Sequence, residues 1–271
     1  MLKVAFQGVR GAYSEEAVEK LVNEDMEFVP LHSFDNVFDA VAEGRADRGV
    51  IPIENSLTGS IHRNYDLLLK HNLWIMGETM VRIIHNLIVN KGVEFKDIRR
   101  IYSHPQGLSQ CEKFLSKFPE IEQIPAYDTA GSVKMVKGEK MLDAAAIASK
   151  QAAFYYDMII LEEGIEDIDE NYTRFLMLSK SKEISENANK TSMVFSTENV
   201  PGILFKSLSV FALREINLLK IESRPVHGKP WEYFFYLDIE ENLNNERGIN
   251  AINHLKEIST YLKILGCYPK G

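Results

Sequence analysis

Cysteine is nearly absent: Cys111 and Cys267 are the only two in 271 residues. They lie far apart and show neither metal-ligand spacing nor a disulfide framework. That excludes a secreted disulfide scaffold or a zinc module, and a reducing cytoplasm is the expected compartment. Positive charge is outnumbered, with 31 Lys and Arg against 39 Asp and Glu. The formal net charge is -8, and no dense Lys/Arg cluster overrides its sign, so no nucleic-acid partner is expected. No apolar run is long enough to span a bilayer, and the chain enters a strand-like run at once, without a signal-peptide pattern; no membrane partner is expected either. Low-complexity segments are missing. What remains, 45% hydrophobic and 26% charged, is the composition of an ordinary globular protein of one large or two ordinary domains.

Residues 3–53 alternate strand and helix. Lys3–Gln7, Met26–Leu31 and Arg48–Ile53 are predicted strands; Ala12–Val22 and Ser33–Glu43 are predicted helices, with Ser14 and Ser33 as caps. Such repeats predict a parallel sheet with right-handed crossovers. A helix (61–70) and a mixed apolar stretch (73–90) follow. A second alternating block runs from Arg100 to Leu178: strands at 100–103, 122–126, 144–148, 158–161 and 172–178, with helices at 106–118 and 129–137. Two similar α/β blocks predict two lobes facing across a cleft. Residues 181–190 are polar and charged and predict a linker. Beyond them the order is strand (191–196), helix from Pro201-Gly202, strand (218–226), a hairpin turn opening at His227, strand (231–239), helix (250–260), strand (262–268). That is βαββαβ, the ferredoxin-like plan.

Polar residues gather where these predicted strands end. The run Ile51-Pro52-Ile53-Glu54-Asn55-Ser56-Leu57-Thr58-Gly59 closes one strand with mostly uncharged hydrogen-bonding groups. In open α/β sheets small ligands bind at that end, and Asn and Ser suit a small polar acid better than a metal. Helix capping accounts for one of these residues but not for the run. The turn Gly8-Val9-Arg10-Gly11 with Ser14 opens a helix and offers backbone N–H groups to an anion. Phe6 stands where a dinucleotide fingerprint needs its first glycine. Ser103 ends another strand. Gln106 and Gln110 share a helix face behind it, and Ser103 and Gln110 rank above the lone His104 as ligand contacts. Cys111 reads as a packed apolar side chain. In Asn171-Tyr172-Thr173-Arg174-Phe175, alternation sends Thr173 and Arg174 to opposite faces. Further on, Gly202 at a helix start and the strand end Glu222-Ser223-Arg224-Pro225 read as either a turn and a charged strand end or an amino-acid pocket.

Jointly these motifs, with Asp128-Thr129-Ala130 and the closing Leu265-Gly266-Cys267-Tyr268-Pro269, resemble the prephenate dehydratases that carry a C-terminal ACT regulatory domain. The resemblance covers nearly the whole chain. It implies an α/β fold: a two-lobed catalytic domain like a type II periplasmic binding protein over 1–180 (one lobe about 1–75 with 160–180, the other 76–159), a linker at 181–190 and an ACT domain over 191–271. It implies a monofunctional lyase, with no chorismate mutase segment ahead of residue 1. The implied reaction takes prephenate to phenylpyruvate, water and carbon dioxide in phenylalanine biosynthesis, without cofactor or metal. It also implies feedback by phenylalanine and a homodimer or homotetramer built through ACT domains. Carried over by motif, Thr173 is the catalytic hydroxyl, with Asn55, Ser103 and Gln110 as its partners. Glu54, Ser56, Gly11, Ser14, Arg174 and Phe175 are expected to bind substrate. Gly202, Leu204, Glu222, Ser223, Arg224 and Pro225 are expected to bind the effector. Ile203 departs from the family's usual Gly-Ala-Leu, and Arg10 adds a possible carboxylate contact. Two other readings stay open: arogenate dehydratase, and a non-catalytic two-lobed metabolite sensor with an ACT domain.

Overall fold

A computed structural model describes residues 1–226 and 228–271; the predicted hairpin turn begins at His227, which lies outside the described residues. In chain order the elements are β1 (Leu2–Gln7), α1 (Tyr13–Leu21), β2 (Met26–Leu31), α2 (Phe34–Ala42), β3 (Arg48–Asn55), β4 (Gly59–Ser60), α3 (His62–Lys70), β5 (Trp74–Arg82), β6 (Asn86–Val89), β7 (Arg100–Ser103), α4 (Pro105–Ser109), α5 (Glu112–Leu115), β8 (Glu122–Pro125), α6 (Thr129–Gly138), β9 (Ala144–Ala148), α7 (Lys150–Tyr155), β10 (Ile159–Glu162) and β11 (Tyr172–Ser179). Then come β12 (Lys190–Ser196), α8 (Ile203–Ala212), β13 (Leu218–Pro225), β14 (Tyr233–Ile239), α9 (Glu246–Ile258) and β15 (Tyr261–Tyr268). They form two compact units. The first holds Met1–Tyr65 and Thr79–Phe175, the second Asp66–Glu78 and Leu176–Gly271.

The first unit contains two α/β lobes, as the two alternating blocks predict. One sheet runs β11-β3-β1-β2, with β1 parallel to both β2 and β3. Val4, Ala5 and Phe6 are fully buried on successive positions, the mark of a parallel strand covered on both faces. The other sheet runs β10-β6-β9-β7-β8. Its core packs Leu87, Val89, Ile101, Leu115, Ala145 and Ile147. Here the expected lobe boundary is corrected: β10 pairs antiparallel with β6, so 159–162 belong to the second lobe and the return to the first follows them.

Two local expectations also shift. Ser33 caps α2 by accepting the Asn36 N–H at 3.2 Å, but α1 starts at Tyr13 behind Ala12, which leaves Ser14 inside the helix. The single helix expected over 106–118 is broken into α4 and α5. The Gln110 carbonyl accepts the Asp167 N–H at 2.7 Å, and the Asp167 carboxylate accepts the Lys113 N–H at 3.0 Å. A distant loop thus takes over groups that a continuous helix would use internally.

In the second unit, β12–α8–β13–β14–α9–β15 gives the sheet order β13-β14-β12-β15, the ferredoxin-like arrangement. Its core includes Met193, Phe195, Phe211, Leu237 and Leu255. β5 adds to β15 in parallel through Ile75 and Gly266. A Cβ on Gly266 would stand 2.6 Å from Ile75 Cβ, so only glycine allows this approach. Residues 181–190 fall entirely within this unit, and Trp74 Nε1 donates to the Glu183 carbonyl at 2.9 Å; the segment is tied down, not a free linker.

Candidate active site

A cavity of about 450 Å³ opens within the first unit, lined from both lobes. Asn55, at the end of β3, organises its first wall. It is buried, and its Oδ1 accepts the N–H groups of Leu57 and Thr58 at 3.1 Å and the Thr58 hydroxyl at 3.2 Å. This side-chain turn fixes the loop after the strand. The Asn55 amide then donates to Asn171 Oδ1 at 2.7 Å and to Thr173 Oγ1 at 3.0 Å. Gln106 Nε2, from the other lobe, donates to Thr58 Oγ1 at 3.0 Å. The chain of bonds therefore has one direction: Gln106 to Thr58, Thr58 to Asn55, Asn55 to Thr173. Thr173 sits at its end as an acceptor. Its own proton has no acceptor among the described residues, and the side chain lines the cavity.

The facing wall holds Tyr13, His85 and Gln110. The Tyr13 hydroxyl lies 2.7 Å from the Ile84 carbonyl and 3.1 Å from His85 Nδ1. His85 Nε2 lies 2.9 Å from Gln110 Oε1. With the His85 proton on Nε2, that nitrogen donates to Gln110 Oε1; the Gln110 NH₂ is buried and has no hydrogen-bond partner among the described residues. Burial lowers the His85 pKa, with the Gln110 bond and the Glu166 charge acting against it. The imidazole is thus a neutral group at pH 7. Burial likewise raises the Tyr13 pKa, aided by the charges of Cys111, Glu166 and Glu16. His104, also on the cavity, is lowered by burial against the opposing pull of Asp128.

Thr173, Asn55, Gln110 and Phe175 of the expected residues are brought together here. Ser103 is not. It is fully buried and donates to the Ile147 carbonyl at 2.7 Å, behind Gly107; its hydroxyl supports β7 against β9, while His104 takes the place on the cavity. The expected anion turn is also corrected. The Gly11 N–H donates at 2.6 Å to the Glu15 carboxylate, which Arg10 holds at 2.6 Å. A protein carboxylate therefore occupies the place proposed for a ligand. A Cβ on Gly11 would lie 2.9 Å from Ala152 Cβ, so packing explains this glycine. Ser14 is buried beside it, and neighbouring Tyr13 reaches the cavity instead. Ser56 binds the backbone of Glu170 and Tyr172 at 3.0 and 2.9 Å. Arg174 lies 3.9 Å from Glu54; both are off the cavity lining.

In the second unit a cavity of about 230 Å³ is lined by Gly202, Leu204, Phe205 and Trp231, among others. Gly202 begins α8 at φ 77°, a left-handed value that favours glycine. Glu222, Ser223, Arg224 and Pro225 lie on β13 and do not line this cavity, although Ser223 and Pro225 pair with the lining residues Phe235 and Tyr233; Arg224 Nη2 pairs with Asp66 at 2.9 Å. The sequence reading missed Tyr13, Thr58, His85 and Asp128. Thr58 and Asp128 sat inside quoted motifs and Tyr13 lies just before Ser14, but His85 lay in an apolar stretch with no local polar signal. Among the described residues no group of side chains is arranged for a metal ion, and no helix is long and apolar enough to cross a membrane. Cys111, which burial makes a weak acid, and Cys267 are both buried and unpaired.

Similarity to known proteins points to one family. The family model for prephenate dehydratase matches residues 4–183, and that for the ACT domain matches 191–257. The chain is 49% identical to an Arabidopsis thaliana protein named arogenate dehydratase/prephenate dehydratase 2, chloroplastic, over 99% of this chain and 73% of that one. The crystal structure of a prephenate dehydratase from Arthrobacter aurescens in complex with L-Phe superposes with a TM-score of 0.91 at 30% identity, covering 99% of this chain and 90% of that one. A structure described as a novel type of quorum quenching acylase gives 0.90 at 30% identity, covering 99% and 98%. With a dehydratase model spanning both lobes and an ACT model on the sheet that follows, the chain belongs to the prephenate dehydratase family of hydro-lyases.

Proposed function

We propose that the chain converts a cyclohexadienyl acid, prephenate or its 2-amino counterpart arogenate, to the aromatic acid with loss of water and carbon dioxide. The observation that carries this is Thr173. Its oxygen accepts the Asn55 amide at 3.0 Å, and its O–H, without an acceptor among the described residues, is left for a leaving hydroxyl in the cavity. As the ring carboxylate departs as carbon dioxide, its bonding pair enters the ring. The ring C–O pair leaves with the hydroxyl, which takes a proton from solvent water and departs as water. Aromatisation drives the step. Thr173 supports the developing hydroxide by hydrogen bonding, and the Gln110 NH₂ supplies a second donor. Neither residue adds charge.

The test is turnover of prephenate, followed as phenylpyruvate, beside arogenate, followed as phenylalanine. At least one is consumed, and Thr173→Ala lowers kcat by about 10²–10³ with KM little changed. If neither is consumed, or if the variant turns over normally, the reading fails. Phenylalanine is proposed as the effector, received in the cavity beside Gly202 and Leu204. ACT pairing into a homodimer or homotetramer is part of the same proposal. Two buried, unpaired thiols support a reducing compartment.

A further inference from the structure

The catalytic cavity has an unusual charge balance. Among the described residues that line it there is no Lys or Arg, while Asp35 and Asp128 both contribute carboxylates. Asp35 is already ion-paired with Arg63, whose Nε lies 3.2 Å from Oδ2. Asp128 has no salt-bridge partner among the described residues; the titratable group on the cavity that feels its charge is His104, which burial pushes toward the neutral form. The Asp128 Oδ1 accepts the Gly131 N–H at 2.5 Å and so begins α6. Its Oδ2 receives no hydrogen bond and no cation from the described residues.

The two candidate substrates differ at one place. Both carry two carboxylates; prephenate has a 2-oxo group in the side chain, and arogenate has a 2-ammonium group. Prephenate therefore brings net charge −2 and arogenate −1. In a cavity that lacks Lys and Arg and whose two histidines, His85 and His104, are held toward the neutral form by burial, the second negative charge on prephenate is not offset. A free carboxylate oxygen beside the 2-oxo group faces an acceptor and a neighbouring anion. Beside the ammonium it receives a charge-assisted hydrogen bond, and the complex carries one negative charge fewer than the one with prephenate.

We infer that Asp128 selects the substrate: its free carboxylate oxygen receives the side-chain ammonium, so this chain prefers arogenate to prephenate. The inference rests on the dehydratase reading above. Asp128 is a specificity residue and takes no part in breaking the C–O bond.

The test compares kcat/KM for arogenate and prephenate in the full-length protein and in Asp128→Asn. Asparagine keeps an oxygen for the Gly131 N–H and is an equally good helix cap, so the variant folds; thermal melting verifies it. The parent enzyme favours arogenate. In Asp128→Asn, kcat/KM for arogenate falls roughly ten- to a hundredfold, prephenate is unchanged or improved, and the preference moves toward the oxo acid. A parent enzyme that favours prephenate overturns the inference while leaving the dehydratase reading intact. A variant that loses both activities in equal proportion does the same. If neither substrate is consumed by the parent enzyme, the dehydratase reading itself falls, and this inference with it.

Discussion

Asn55, Thr173, His85 and Gln110 show how neutral side chains acquire direction. Each has several possible hydrogen-bond geometries alone, and neighbours narrow that choice. For His85 the consequence extends to stability. Burial holds its folded pKa below the ordinary 6.5, so between the two values the unfolded chain binds the extra proton and the native one does not. Stability therefore rises with pH across that window and is lost as pH falls below about 6.5. His104, lowered for the same reason, acts with the same sign. We expect the melting temperature to drop on acidification from pH 7 to 5. His85→Gln, which cannot titrate, should have a shallower slope over the same range; parallel slopes would remove His85 from this account.

At the scale of elements, the β7–α4 corner separates support from chemistry. Ser103 ends β7 next to residues that reach the cavity, yet its hydroxyl binds β9 through the Ile147 carbonyl. Ser103→Ala should therefore cost about 1–2 kcal/mol of stability, read from the urea midpoint, while KM stays near that of the parent. A large loss of kcat at unchanged stability would return Ser103 to the reacting groups. This corner also shows what the residue pattern reveals. β1, β3 and β9 were legible because runs such as Ala144–Ala148 are buried throughout, which leaves an unbroken apolar signal. Asn55, Gln110 and Thr173 were legible as polar groups near the ends of such runs. Ser103 has the same signature but turns the other way, and strand position does not encode that choice. The break between α4 and α5 was hidden too, because Asp167 causes it from more than fifty residues away.

For the whole molecule, three elements contribute to both compact units: α3 changes unit after Tyr65, β5 after Glu78 and β11 after Phe175. None of these crossings is a loose tether, so neither unit melts without breaking backbone bonds in elements that the other also uses. A single calorimetric transition is the expected result, and phenylalanine at a hundred times its Kd should raise the whole transition by about 2.7 kcal/mol. Two resolved transitions, with only one moved by phenylalanine, would contradict this. The second unit also begins far earlier than its sequence pattern implies. Ile75 faces Gly266, Asp66 holds Arg224, and Lys263 closes the end of α3 through the Leu68 and His71 carbonyls at 2.9 and 2.7 Å. A protein engineer who severed the chain near residue 181 to transplant the ACT domain onto another enzyme would leave all of those counterparts behind. The graft would arrive with a bare strand edge and two cations stripped of their acceptors, so a portable version must carry Asp66–Glu78 with it.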